Sequence, residues 1–389
     1  ATFLPALEKD GPNSRSRSIV VHVLFDISIA GGLLAAVGFF AMTPLAQLIG
    51  LRKDIATLRW FLPLPMLLAL TAGLRGVYRV RRMTPIYTAF ADIGEPVLRT
   101  IVLFLLLTHS STPASAPAQA LLVSYSASVL ALVLRICSLR GLSISFLISE
   151  SIRRIVVRFW RHALPLLLNS SIVYLYAHLD LFMLGRIIGE EAAGYYGVAQ
   201  RVILVVALPL LAVETVMLPK LAEALSRGET TQLRLTYQGS TYLVGILLLV
   251  VLVPIVGAGP NLLKVFGAEF TVVHVPLLIL IAGQVVNGIT GQAGIMLVAL
   301  RKHTVVISTN AAVLVINFLL NALLITVAGI LGAAMATSAS VILVNIAKVL
   351  IAQKHTGMLP YPPRFLRLLF AFLAAAVFVV LLQTVVDSV

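Results

Sequence analysis

A succession of apolar runs about twenty residues long, parted by short loops that hold most of the charge, constrains this chain more than anything else in it. A helix of that length crosses the hydrocarbon of a bilayer, and it satisfies every backbone donor and acceptor within itself. The runs predict about eleven such helices, over residues 20–41, 58–77, 85–107, 118–134, 163–184, 192–218, 242–257, 272–300, 305–327, 331–352 and 366–386. Composition agrees: 60% of the 389 residues are hydrophobic and 11% charged, where soluble domains run near 45–50% and about 25%. A water-soluble globule and a disordered chain are both excluded. The expected fold class is all-α and polytopic.

The net charge of +14 would suggest nucleic acid on a soluble protein, but in a membrane protein it is first a sign of topology. With residues 1–18 assigned to the cytoplasm, 22 of the 29 lysines and arginines fall on that side of the zigzag, five fall opposite, and Arg99 and Arg201 lie inside spans. The bias places the C-terminus on the outer side. Arg75 and Arg135 sit at the inner mouth of their helices, and the basic amphipathic segment 151–161 is expected to lie along the inner membrane surface. The single cysteine, Cys137, excludes an intrachain disulfide framework and any cysteine-based metal site. Neither G-x-x-x-x-G-K-[ST] nor G-x-G-x-x-G occurs, so no cofactor and no internal ATPase are expected.

An internal repeat divides the chain. Leu4-Pro5 reappears as Leu218-Pro219, Pro44 through Gly50 aligns with Pro260 through Gly267, and Arg81-Arg82-Met83-Thr84 aligns with Arg301-Lys302-His303-Thr304. The offset drifts only from 214 to 220 residues, which short loop insertions explain. Both copies enter their helices from the same side, so the repeats are parallel, an arrangement that builds secondary transporters with a substrate site near the midplane. The expected organisation is an N-terminal lobe over 1–138, a cytoplasmic linker over 139–162, a six-helix lobe over 163–352 and an extra helix within 353–389. The second copy has two helices ahead of its Leu-Pro that the first lacks, so a complete protein is expected to carry two more.

The stretches Leu164 to Asn169, Leu179-Asp-Leu-Phe-Met-Leu-Gly-Arg186, Gly194-Tyr-Tyr-Gly-Val-Ala-Gln-Arg201 and Met217-Leu-Pro-Lys220 resemble the middle of the Wzx-like polysaccharide flippases of the multidrug/oligosaccharidyl-lipid/polysaccharide (MOP) exporter superfamily. Helix order and repeat extend the likeness over most of the chain; the specific motifs lie within 164–220. The resemblance implies two six-helix lobes and an undecaprenyl-diphosphate-linked oligosaccharide carried from the cytoplasmic to the outer leaflet of a bacterial inner membrane. Implied partners are that lipid-linked oligosaccharide, membrane lipids and the glycan polymerase machinery, with no nucleic acid.

Polar groups inside spans cost about 2.5–3.5 kcal/mol each when charged, so they face a cavity or a partner. Asp92, Glu95 and Arg99 fall at i, i+3 and i+7, one stripe of a helix that Pro96 is expected to kink. The stripe serves either as a substrate-facing surface or as an internally neutralised Glu–Arg pair. Asn169, Tyr176 and Asp180 share a second face, and Asp180 is expected to pair with Arg201 across a short outer turn. Such a pair is either a permanent bridge or a switch, in which protonation of Asp180 frees Arg201 for phosphate. Amides at 284, 287, 292, 310, 317 and 321 read as packing glue or as sugar ligands.

A diphosphate wants arginine, so Arg75, Arg99, Arg135 and Arg201, with Tyr176 and Asn169, are the candidate substrate residues, and Asp180, Asp92 and Glu95 are the candidate coupling residues. The embedded acids also permit an ion-coupled exporter of cationic drugs. A polytopic glycan polymerase or ligase ranks lower, because such enzymes need a sizeable outer loop or an acid/base cluster.

Overall fold

The computed structural model describes residues 31–33, 35–40, 59–80, 83–109, 115–138, 150–290, 292–372, 374, 375 and 377, without the side chains of 79, 80, 136–138 and 150–166. Residues 20–30 of the 20–41 span, the Leu4-Pro5, Pro44 to Gly50 and Arg81-Arg82 copies of the repeat and residues 139–149 of the linker lie outside the described residues. All regular structure among the described residues is helical.

The main helices are α1 (Leu64–Val80), α2 (Glu95–His109), α3 (Ala116–Ser138), α4 (Glu150–Ile187), α5 (Glu190–Arg227), α6 (Thr230–Ala258), α7 (His274–Thr290), α8 (Gln292–Ala299) and α9 (His303–Thr356). A short turn of helix, Thr84–Tyr87, and a π-helical segment, Thr88–Gly94, lead into α2. Six of the described stretches are long and apolar enough to cross a membrane. Their large apolar side chains turn outward, as Leu130, Leu204 and Leu323 do, because lipid and not a protein core is their solvent.

Three predicted boundaries move, each for a physical reason. Segment 151–161 does not form a separate surface helix: it continues into residues 163–184 as one 38-residue helix, α4. The predicted 272–300 helix starts as a 3-10 turn, Ala268–Val273, and continues as α7 and α8 on either side of residue 291, which lies outside the described residues. The predicted helices 305–327 and 331–352 abut within α9, where Gly329 turns the chain at φ 55 and ψ −130. A Cβ is excluded from that backbone region, so only glycine makes so sharp a reversal at no cost.

The chain separates into two compact units, Ala1–Leu164 and Pro165–Val389. In the first, α1 and α2 both pack on α3. Its core gathers Leu74, Tyr78, Tyr87 and Leu132, with the Tyr78 hydroxyl donating to the Leu132 carbonyl at 2.8 Å. In the second, α7 packs most extensively on α9, and α5 lies against α6, α7 and α8. The α7–α9 crossing is close because it uses small residues: a Cβ on Gly283 would lie 2.9 Å from the Ser338 Cα. Ser338 in turn donates to the Ile279 carbonyl at 2.8 Å.

Candidate functional site

The π-helical segment sets the geometry of the first unit. Its wider turn is closed by the Glu95 N–H donating to the Phe90 carbonyl five residues back, and the Ser128 hydroxyl of α3 donates to that same carbonyl at 3.2 Å. Pro96, which brings no N–H, follows directly. The extra residue in the turn breaks the single stripe predicted for Asp92, Glu95 and Arg99 and aims the two acids at different helices. Asp92 meets α1, where Arg75 Nη2 donates to its Oδ1 at 2.6 Å, and it accepts a further hydrogen bond from Thr88 at 3.2 Å. Glu95 meets α3 and accepts from the Ser124 hydroxyl at 2.8 Å; it is buried, 4% exposed. Arg99 Nε lies 3.9 Å from the Glu95 carboxylate.

These residues line one cavity of about 480 Å3, together with Thr71, Tyr87, Tyr125 and Ser128. Arg75 also rests over the Tyr87 ring at 5.1 Å, which holds its guanidinium in a fixed place, and the Tyr87 hydroxyl donates to the Thr71 carbonyl at 3.2 Å. Two guanidinium groups at one wall supply donors for anionic oxygens, and two carboxylates offset their charge when the cavity is empty. Arg135 lies apart from this cavity, exposed in the last turn of α3.

The second unit holds Asp180, 2% exposed and enclosed by neutral donors. The Tyr196 hydroxyl donates to Oδ2 at 2.7 Å, the Gln200 amide reaches both oxygens at 3.0 Å, and the Thr337 hydroxyl donates to Oδ2 at 3.1 Å. Behind Thr337 the chain of donors continues: Asn317 donates to Thr337 at 3.4 Å and Asn321 to Asn317 at 3.0 Å. Each dipole points its positive end toward the carboxylate, so the relay favours negative charge there. The expected Asp180–Arg201 pair does not form. Arg201 stands on the exposed face of α5, whereas Tyr196 and Gln200 sit on the turn that meets α4. Tyr176 lies partly buried on α4, its hydroxyl enclosed without a hydrogen-bond partner.

A second polar group in this unit joins helices the sequence left separate. Asn310 donates to the Asn169 side chain at 3.1 Å, and Lys348 donates to Asn310 at 3.1 Å. Asn345 donates to Asn287 at 2.9 Å, and Asn287 to Gln284 at 3.3 Å. Gln292, at the start of α8, is fully buried with no partner for either amide atom. Tyr196 and Gln200 belong to the 194–201 motif, and Lys348 counts among the cytoplasmic-side charges, but nothing in the sequence ties Tyr196, Gln200 or Thr337 to Asp180. The spacing of Tyr196 and Gln200 at i and i+4 was the available signal, but nothing local placed Asp180 opposite them. Among the described residues no three histidine, cysteine, aspartate or glutamate side chains gather to hold a metal.

The described residues form a polytopic helical fold with several helices long and apolar enough to cross a membrane, and the structural likenesses agree. The chain superposes on a lipid II flippase MurJ in an inward closed conformation with a TM-score of 0.73, covering 97% of this chain and 80% of that one at 15% identity. It superposes on a multidrug resistance MATE family transporter of the MOP superfamily, inward-facing, with a TM-score of 0.68, covering 88% and 81% at 15% identity. The fold is that of the MOP superfamily. Residues 7–225 match the polysaccharide biosynthesis protein family, and the chain belongs to that family. A curated relative, the probable low-salt glycan biosynthesis flippase Agl15 of Haloferax volcanii, is 27% identical over 168 residues, a stretch spanning 43% of this chain and 36% of the relative.

Proposed function

We propose that this protein is a flippase for an undecaprenyl-diphosphate-linked oligosaccharide, moving it from the cytoplasmic to the outer leaflet of the bacterial inner membrane by alternating access, in capsule, exopolysaccharide or O-antigen synthesis. The observation that carries the reading is the 480 Å3 cavity with Arg75 and Arg99 on its wall, in a chain of the polysaccharide biosynthesis family. A diphosphate offers several charged oxygens to the planar forks of these two side chains, and its arrival releases Asp92 and Glu95 from neutralising them. The Haloferax volcanii relative, a probable low-salt glycan biosynthesis flippase, supports the same substrate class.

Asp180 is the residue we assign to coupling. A carboxylate withdrawn from water with no cation in contact is costly, and a proton that enters and leaves balances it. Tyr196, Gln200 and Thr337 provide the donors that hold the ionised form between protonation events. Coupling therefore runs through this donor shell and not through Arg201.

The test is transport of a fluorescent lipid-linked oligosaccharide in proteoliposomes. Arg99→Ala in folded protein should abolish it, and Asp180→Asn should bind the lipid yet lose the dependence of transport on a pH gradient. Parent-like transport in the first variant sinks the arginine assignment; a parent-like response to pH in the second removes Asp180 from coupling. A second reading, an ion-coupled exporter of cationic drugs, is favoured by the MATE likeness and by a carboxylate beside each cavity arginine. Drug efflux by the parent without oligosaccharide transport would select it.

A further inference from the structure

The second unit contains an ammonium that is poorly matched by its surroundings. Lys348 lies inside α9, eight residues before the helix ends at Thr356, or about 12 Å along the axis at 1.5 Å per residue. Lysines near helix ends escape lipid by reaching back to the interface, but this one leans the other way. A helical side chain tilts toward the N-terminus of its helix, which here carries the lysine stem away from Thr356 and toward the apolar middle of that arm. The hydrogen bonds agree, because Nζ reaches across to Asn310 Oδ1 at 3.1 Å, on the other arm of the same helical hairpin.

That bond satisfies one of the three ammonium donors. Among the described residues no carboxylate comes within 4.0 Å of Nζ; Glu214 of α5 is the acid whose charge acts on it, and it does so from beyond contact. Asn310 uses its amide N–H2 on Asn169, which orients the Asn169 side chain by its oxygen and leaves the Asn169 N–H2 as a further donor. The cluster thus offers spare donors from Lys348 and Asn169, on side chains that are each partly exposed. A partly exposed ammonium and amide at this depth do not face lipid tails, since charged groups inside membranes turn to a water-filled space or a partner. Spare donors around a fixed positive charge recognise anionic oxygen.

We propose that Lys348, with Asn169 and Asn310, forms a phosphate-binding subsite of the second unit. The role rests on the flippase reading and deepens it, by assigning the second unit a phosphate contact of its own. Asn310 is a positioning residue, holding the ammonium in place through its carbonyl and Asn169 through its amide.

The pair Lys348 and Glu214 carries no net charge, and a sugar hydroxyl would use both partners, donating to the acid and accepting from the base. A phosphate uses only the base and is repelled by the acid. Removing the acid charge therefore decides between them. The experiment measures the affinity of the full chain in detergent for undecaprenyl diphosphate without glycan, for the parent, Lys348→Met, Lys348→Arg and Glu214→Gln, each checked for thermal unfolding. Lys348→Met should weaken binding about tenfold or more, Lys348→Arg should hold it within about threefold, and Glu214→Gln should tighten it. Parent-like affinity in Lys348→Met overturns the subsite, and so does weaker binding in Glu214→Gln, which remains informative if the lysine variants fail to fold. A parent that binds the diphosphate lipid while Lys348→Met binds it equally well leaves the flippase reading standing and removes only the subsite; a parent that binds none overturns both. Competition by phosphatidylglycerol as strong as that by undecaprenyl diphosphate would assign the site to a lipid headgroup and overturn its role in cargo binding.

Discussion

Asp92 of the first unit and Asp180 of the second sit in opposite surroundings. In the first, Asp92 meets an arginine at 2.6 Å, and both side chains are open, 53% exposed for Arg75 and 39% for Asp92. In the second, Asp180 is 2% exposed and meets only hydroxyls, an amide and its own neighbouring N–H. A wet ion pair is cheap to break, because water replaces each partner and screening weakens the attraction. A buried carboxylate held by dipoles is hard to disturb except by a change in its own charge. The first arrangement suits a site that must open its salt bridge to admit an anionic ligand, and the second suits a site that responds to protons.

Breaking the comparison from the buried side should have the largest effect. Asp180→Leu strands the donors of Tyr196, Gln200 and Thr337 in an apolar interior, at about 1–3 kcal/mol for each unmet group. The melting temperature in detergent should fall by more than for any substitution in the Arg75–Asp92 pair. Next comes Gly329→Ala, which forces a Cβ into the φ 55, ψ −130 turn that returns the chain toward Thr337, and should cost about 1–3 kcal/mol by the same measurement. Thr337→Val removes one donor to Asp180 and the acceptor of Asn317, and should cost about 1 kcal/mol. Smallest is the open pair. Arg75→Ala and Asp92→Ala should each change stability by less than about 1 kcal/mol, and a double-mutant cycle should give a coupling that fades as salt rises. A coupling there as large as the Asp180→Leu loss would erase the distinction between the units.

Several of these features were legible in the sequence, and the reason differs from residue to residue. Apolar length alone located the spans from 85 to 352, since the bilayer sets that length, but α4 and α6 begin 13 and 12 residues before their apolar runs and α5 ends nine residues after its own. Asp92, Glu95 and Arg99 stood out because a charge inside an apolar run is rare. The resemblance carried by residues 164–220 falls inside the stretch that matches the polysaccharide biosynthesis family. The Asp180–Arg201 pair failed because depth was known and azimuth was not. Two residues at similar depth on adjacent helices touch only if both face the shared seam, and Arg201 faces away from it. Lys348 was missed because the positive-inside count treats every basic residue near a helix end as a loop charge.

The sequence by itself determined that this is a helical membrane protein, roughly where its spans fall and which residues carry charge at membrane depth, because hydrophobic length and the cost of burying charge act locally along the chain. Which of those charged and polar groups meet was decided by the tertiary structure. The π-turn at Thr88–Gly94 separates Asp92 from Glu95, and the Gly329 reversal brings Thr337 to Asp180 from 157 residues away. Contacts of that separation depend on the rotation of each helix about its axis, which interhelical packing fixes and hydropathy does not encode.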